Sequence, residues 1–297
     1  MSTEDLDPHF LELDTWSSAD AVTAMIEGQF RAIGAVQGAT AAIAAAVDDA
    51  ALRLSQGQGR LVYAGAGTSG RVAAQDGVEL VPTYGWPWPR LLFAIAGGEG
   101  ALMRAVENAE DDGHAGAQFV ADHNIGAEDV VIGVAASGRT PYTLAILELA
   151  RAAGAMTIAI ANNKDTDMLA AAHHAIFLDT GPEPVCGSTR MKAGTAQKVA
   201  LNLWSTALMV KLGGVYKGRM VSMLATNAKL RRRAVRIVMA LTTCNEATAQ
   251  RALQECGGDI KLAVLCALGI EGAGERTQML EAAGGNLRAA LTRLLEA

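Results

Sequence analysis

The chain has 297 residues, 51% of them hydrophobic, and a formal net charge of −6. That length and apolar content allow one large domain with smaller additions and a sizeable buried core, while the acidic balance argues against a nucleic-acid surface. The longest apolar runs are alanine-rich or interrupted, so no membrane span is expected.

Residues 1–18 are polar and irregular, an arm rather than a core element, and residues 1–14 lack the apolar stretch of a signal peptide. Ser17 or Ser18 caps a helical stretch over 19–56. There Val22, Met25, Ile26, Phe30, Ile33, Val36, Ile43, Val47 and Leu52 recur at helical spacing, with a break expected near 34–38. Strand-like apolar runs follow at 61–64, 91–96, 130–135, 157–161 and 175–178, with helix-like segments between them at 72–80, 99–112, 141–153 and 166–172. Runs buried on both faces and separated by helices predict a parallel sheet in an αβα sandwich, an α/β fold with right-handed crossovers.

His173-His174 lacks nearby carboxylate or thiolate ligands, so no metal site is expected. A long helix is predicted over 191–211 and another over 220–239, where the local basic run 229–236 reads as a solvated face. Cys186, Cys244, Cys256 and Cys266 have no paired spacing, as in a reducing cytoplasm. The tail carries an internal repeat: Gly257-Gly258-Asp259-Ile260-Lys261-Leu262 is echoed by Gly284-Gly285-Asn286-Leu287-Arg288-Ala289. Each copy ends one helix at Gly-Gly and starts another at a cap, Asp259 or Asn286. This resembles a ubiquitin-associated-type (UBA-like) helical module and is read as a packing unit. The expected division is an arm with helices over 1–58, the α/β domain over 59–240 and the helical module over 241–297.

Three loops at the carboxyl ends of the predicted strands carry the chemistry, where parallel sheets place their ligands. In the first, Gly65-Ala66-Gly67-Thr68-Ser69-Gly70-Arg71, an apolar run stops in glycines and hydroxyls and gives way to a helix. Free amides at a helix start favour an anion, so Gly67, Thr68 and Ser69 read as a phosphate cradle. A dinucleotide site would want an acidic residue ending the second strand, but that strand ends in Gly97-Gly98. The second loop, Ala136-Ser137-Gly138-Arg139-Thr140-Pro141-Tyr142, offers Ser137, Thr140 and the amides around Gly138 and Arg139 for further phosphate oxygens. The third places Ser188, Thr189, Arg190 and Lys192 at another helix start. Cations there oppose the helix dipole, which calls for an anion or a carboxylate partner such as Glu183.

Carboxylates in two regions are candidates for proton transfer. Drawn as a continuous helix over 99–112, Glu110 falls within the apolar stripe of Leu102 and Val106, and Asp111 falls opposite. A carboxylate on a buried face is costly unless paired or tuned for work. On the helix after the glycine loop, Asp76 and Glu79 share a face, and paired carboxylates push one pKa upward, as a general acid requires.

Gly65-Ala-Gly-Thr-Ser-Gly-Arg71, Asp76 with Glu79, Gly97-Gly98-Glu99, Ala105-Val-Glu-Asn-Ala-Glu-Asp111, Ala135-Ala-Ser-Gly-Arg-Thr-Pro-Tyr142 and Gly187-Ser-Thr-Arg-Met-Lys-Ala-Gly-Thr-Ala-Gln-Lys198 together resemble the N-acetylmuramic acid 6-phosphate etherases. The likeness runs through most of the chain, including Thr226-Asn227-x-Lys229-Leu230. It implies a sugar-isomerase (SIS) domain, a homodimer, no metal or cofactor, and a cytoplasmic lyase. Its substrate would be a small-molecule sugar phosphate, whose lactyl ether is removed by elimination of lactate and addition of water. Glu79 would be the proton donor and Glu110 the second acid/base residue. The chain departs from the family at Glu79-Leu80-Val81-Pro82-Thr83, where Glu-Cys-Pro-Pro-Thr is frequent, and in its arm, where Thr3-Glu4-Asp5-Leu6-Asp7 stands for Thr-Glu-x-x-Asn. Two other classes share the domain: a non-catalytic sugar-phosphate sensor, which does not need both carboxylates, and an aldose–ketose isomerase, which product analysis would distinguish.

Overall fold

The structure is a computed structural model and describes residues 2–55 and 57–296. It divides into two compact units, Met1–Gly77 with Pro89–Ser205, and Val78–Trp88 with Thr206–Ala297.

The first unit is built on five parallel strands: β1 (Leu61–Gly65), β2 (Leu91–Ile95), β3 (Val130–Val134), β4 (Met156–Ala161) and β5 (His174–Phe177), in the order β2-β1-β3-β4-β5. All five expected strands are present. Leu61 pairs in register with both Leu91 and Val130, so β1 has a partner on either side. β1, β3 and β4 are buried along their whole lengths, which is why their sequences run apolar without alternation. Side chains still project to alternate faces. On one face Val62, Ala64, Val131 and Ala159 form a core with Ile146 and Leu147 of α5 (Pro141–Ala152) and Met168 of α6 (Asp167–Ala171). On the other, Tyr63 stacks on Phe93 at 6.0 Å between ring centroids.

The expected break in the first helical stretch falls at Ala39, between α1 (Ser18–Gly38) and α2 (Thr40–Ser55). No single helix among the described residues is long and apolar enough to cross a membrane, although α1 and α2 would pass as one span bent by 53°. α3 runs Gly67–Tyr84, so the glycine loop itself forms the first helical turn.

One predicted helix is absent. Residues 99–112 form two short 3-10 turns, Glu99–Leu102 and Ala109–Asp111, followed by α4 (Gly113–Asp122). The backbone is left-handed at Gly98 (φ 76°) and Asn108 (φ 58°), and the Asp112 carboxylate accepts from the Ala115 amide and starts the real helix. The apolar stripe drawn through Glu110 therefore does not exist, and Glu110 is exposed.

In the second unit a small hairpin, β6 (Val215–Tyr216) and β7 (Arg219–Met220), precedes α8 (Ala228–Thr242). The helix expected over 220–239 starts late because Met220 is in the hairpin and Asn227 supplies the cap, accepting from Leu230 N. Helices α9 (Glu246–Glu255), α10 (Ile260–Ala267), α11 (Ala273–Ala282) and α12 (Leu287–Glu296) follow. Asp259 and Asn286 cap α10 and α12 as expected, accepting from Leu262 N and Ala289 N. Val238, Leu253, Ile260, Val264 and Leu287 form the core.

Arg60 and Asp129 immediately precede β1 and β3 and tie their starts together. The Asp129 carboxylate accepts from the Arg60 amide (2.9 Å), Nε (3.0 Å) and Nη2 (2.7 Å), and from Gly126 N (3.0 Å). Burial works to raise the Asp129 pKa, but the Arg60 and Gly126 hydrogen bonds and the Arg60 charge outweigh it, and the net value lies below the ordinary one. Asp129→Asn should lower the unfolding free energy by about 3 kcal/mol in urea at neutral pH. A depressed folded pKa contributes stability above the unfolded value and loses it as pH falls through the folded one. The difference between the two proteins should therefore narrow below about pH 4.

Candidate active site

The sheet order reverses at β1: the chain goes from β1 to β2 on one side, then returns to place β3 on the other. A crevice opens at such a point, outside the carboxyl ends of the strands. A cavity of about 420 Å³ lies here, and the loops after β1 and β3 both line it.

The β1 loop turns so tightly that only glycine fits at two places. A Cβ on Gly65 would lie 2.9 Å from the Gly70 Cα, and one on Gly70 would lie 2.8 Å from the Gly65 oxygen. Thr68 and Ser69 follow Gly67 on the first turn of α3, and all three line the cavity. The first-turn amides of a helix have no partner within it, so N–H and O–H donors converge on one place. In the β3 loop the Ser137 hydroxyl accepts from Arg139 N at 3.2 Å and lies 3.4 Å from Thr140 Oγ1. Thr140 is the N-cap residue of α5, with Pro141 in its first turn, yet its side chain makes no capping bond. Its hydroxyl remains available to a ligand. Ser137, Arg139 and Thr140 all line the cavity. Gly138 does not, because it packs against Thr166, whose Oγ1 would be 2.3 Å from an added Cβ.

The 3-10 turn Ala109–Asp111 brings both Glu110 and Asp111 to this cavity. A continuous helix would place Asp111 opposite the apolar stripe that holds Glu110; the turn brings both to the cavity. Glu4, from the amino-terminal arm, also lines it. No local periodicity marked Glu4, since its place depends on contacts with residues far along the chain.

The third loop contributes Thr189 to the cavity, while Ser188, Arg190, Lys192 and Glu183 do not line it. Glu183 has a different task. It is 1% exposed, and its two oxygens accept from Lys192 N and Ala193 N, each at 2.9 Å. It caps α7 (Lys192–Lys211), supplying the anion that the dipole calls for. Burial raises the Glu183 pKa against the pull of those amides, and burial lowers that of Lys192 against the attraction of Glu183.

The two acids on α3 separate. Asp76 is 4% exposed and accepts from Tyr63 Oη (3.0 Å), Asn202 Nδ2 (2.5 Å) and Ser205 Oγ (3.1 Å). Burial raises its pKa, opposed by those hydrogen bonds and the charge of Lys198; no neighbouring carboxylate is needed to explain the shift. Glu79, one turn on, is exposed, belongs to the second unit, and is not among the residues lining the cavity.

An αβα sheet with hydroxyl loops meeting at its switch point agrees with the class that two family models give, the SIS-domain proteins. The glucokinase regulatory protein N-terminal SIS domain matches residues 42–151, and the SIS domain matches residues 107–207. A phosphoheptose isomerase structure from Francisella tularensis is a distant likeness, 19% identical with a TM-score of 0.48, covering 65% of this chain and 98% of that one. The N-acetylmuramic acid 6-phosphate etherase of Deinococcus radiodurans is 50% identical over 290 residues, 97% of this chain and 94% of its own length. Those of Lactobacillus acidophilus and Serratia proteamaculans are 43% and 44% identical, each over at least 96% of both chains. This chain belongs to the N-acetylmuramic acid 6-phosphate etherase family.

Glu183→Ala should cost about 3 kcal/mol of stability, because it leaves two buried amides unpaired and removes a negative charge that attracts the buried Lys192. Glu183→Gln keeps one acceptor oxygen and should cost less. Denaturant titration of the two variants checks the order.

Proposed function

We infer that this protein cleaves the D-lactyl ether of N-acetylmuramic acid 6-phosphate to give N-acetylglucosamine 6-phosphate and D-lactate, in the reuse of peptidoglycan amino sugars. The observation that carries the reading is the convergence of two hydroxyl loops at helix starts with the Glu110–Asp111 turn on one cavity. Thr68, Ser69, Ser137 and Thr140 suit a phosphate dianion, and the turn supplies carboxylates for proton transfer.

An ether oxygen leaves poorly, and direct displacement at C3 is slow. Opening the pyranose to its aldehyde makes the C2 proton acidic. A base removes that proton, the C3–O bond breaks, and the departing oxygen takes a proton from an acid. Water then adds at C3 of the resulting enal. The steps are proton transfers, loss of lactate and addition of water, with no net oxidation or reduction, so the reaction calls for no redox cofactor. We assign Glu79 as the donor to the leaving oxygen and Glu110 as the second acid/base group, the roles that the family resemblance implies, with the phosphate loops fixing the sugar. Lactate assayed after mixing with the phosphorylated muramic sugar tests the activity. Glu79→Gln and Glu110→Gln should each lower kcat by about 10²–10⁴-fold. Ser137→Ala combined with Thr140→Val should instead raise KM by about tenfold, the loss of one or two phosphate hydrogen bonds.

The working unit is proposed to be a homodimer. Val22, Ile26, Phe30 and Ile33 form an exposed apolar stripe on α1, with Phe30 71% exposed, and a stripe of that kind marks an interaction surface. Phe30→Asp should convert the dimer to monomers in sedimentation. A cytoplasmic location goes with the reading, because the substrate is a phosphorylated sugar and the four cysteines are free. The helical module over 241–297 is taken as a packing unit, and the domain over 59–240 as the part that holds the sugar phosphate.

A further inference from the structure

The arm is anchored more firmly than its irregular sequence suggests. Thr3 is fully buried. Its amide donates to Asn163 Oδ1 at 2.9 Å, and its hydroxyl accepts from Asn163 Nδ2 at 3.0 Å. That is a two-point bond to a residue 160 positions later, just beyond β4. The Cys186 thiol donates to the Glu4 carbonyl at 3.1 Å. Ser2 closes the turn, with its amide on Asp5 Oδ2 at 2.6 Å and its hydroxyl accepting from Glu4 N at 3.1 Å. A Cβ on Gly187 would lie 3.2 Å from Glu4 Oε2, so the third loop abuts this carboxylate.

All of these anchors hold the backbone and leave the Glu4 carboxylate almost free. Among the described residues its one hydrogen bond is from Thr3 Oγ1, at 3.5 Å, and no ion pair to it is present. An acid held in place over a cavity by its own main chain is ready to accept hydrogen bonds without further ordering.

We propose that Glu4 is a substrate-positioning residue, accepting a hydrogen bond from a neutral O–H or N–H donor of the sugar, and that residues 2–5 are the strap that presents it. The proposal rests on the sugar-phosphate reading above. Two of the substrate's groups, the phosphate and the lactyl carboxylate, carry negative charge and repel an ionised acid. The donors left to it are the sugar hydroxyls and the acetamido N–H.

The test compares ligands with and without a sugar. Calorimetry with N-acetylglucosamine 6-phosphate and with inorganic phosphate is run on the wild type, Glu4→Ala, Glu4→Gln and Asn163→Ala, beside the lactate assay. Glu4→Ala should weaken sugar-phosphate binding and raise KM at least tenfold. Inorganic phosphate should bind within twofold of wild type or more tightly, since a like charge is gone. Glu4→Gln, which keeps an acceptor oxygen, should recover most of the loss. Asn163→Ala, which releases the strap, should reproduce the Glu4→Ala pattern. An unchanged KM and sugar-phosphate affinity in Glu4→Ala, an equal loss for both ligands, or a Glu4→Gln variant as weak as Glu4→Ala would each overturn the proposal. A wild type that binds the sugar phosphate but releases no lactate would count against the lyase reading alone, and the binding comparison would still decide the role of Glu4.

Discussion

The site depends on the pairing of β1 with two neighbours. Leu61 faces Leu91 on one side and Val130 on the other. Because β3 lies directly beside β1, loops some seventy residues apart in sequence emerge side by side. The ion pair before these strands locks their starts, and identical strand lengths of five residues bring both loops out at the same level. The closeness of Gly65 to Gly70 then turns the chain at once into α3, so its first turn is spent at the ligand rather than beyond it.

Environment sorts the carboxylates into different tasks. Asp76 is buried and takes three side-chain hydrogen bonds; its work is to join β1, α3 and α7. Glu183 is buried too, and both its oxygens are committed to a helix start. Glu4, Glu110 and Asp111 are exposed and line the cavity, which leaves them open to a substrate. A buried acid with all its lone pairs engaged stabilises the fold, whereas proton transfer needs an acid that can change partners.

The corrections have local causes. The apolar spacing of Leu102, Val106 and Ala109 matched a helix, yet left-handed Asn108 interrupts it and the Asp112 cap restarts it. Periodicity counts only the gain from burying a stripe; it does not register a backbone reversal within the stripe. The predicted helix over 220–239 starts late for a different local reason: Met220 pairs in a hairpin and Asn227 caps what remains.

The five strands, the two hydroxyl loops and the caps at Asp259 and Asn286 are legible in the order of residues along the chain. Each of these rests on short-range physics: continuous apolar runs, glycines at tight turns, and side chains that bond to amides three residues on. Tertiary structure decided which loops are neighbours, since strand order is set by pairings between distant segments. It also decided that Glu183 is a cap, that Asp76 is buried, and that Glu4 reaches the cavity through Thr3 and Asn163, residues that only folding brings together.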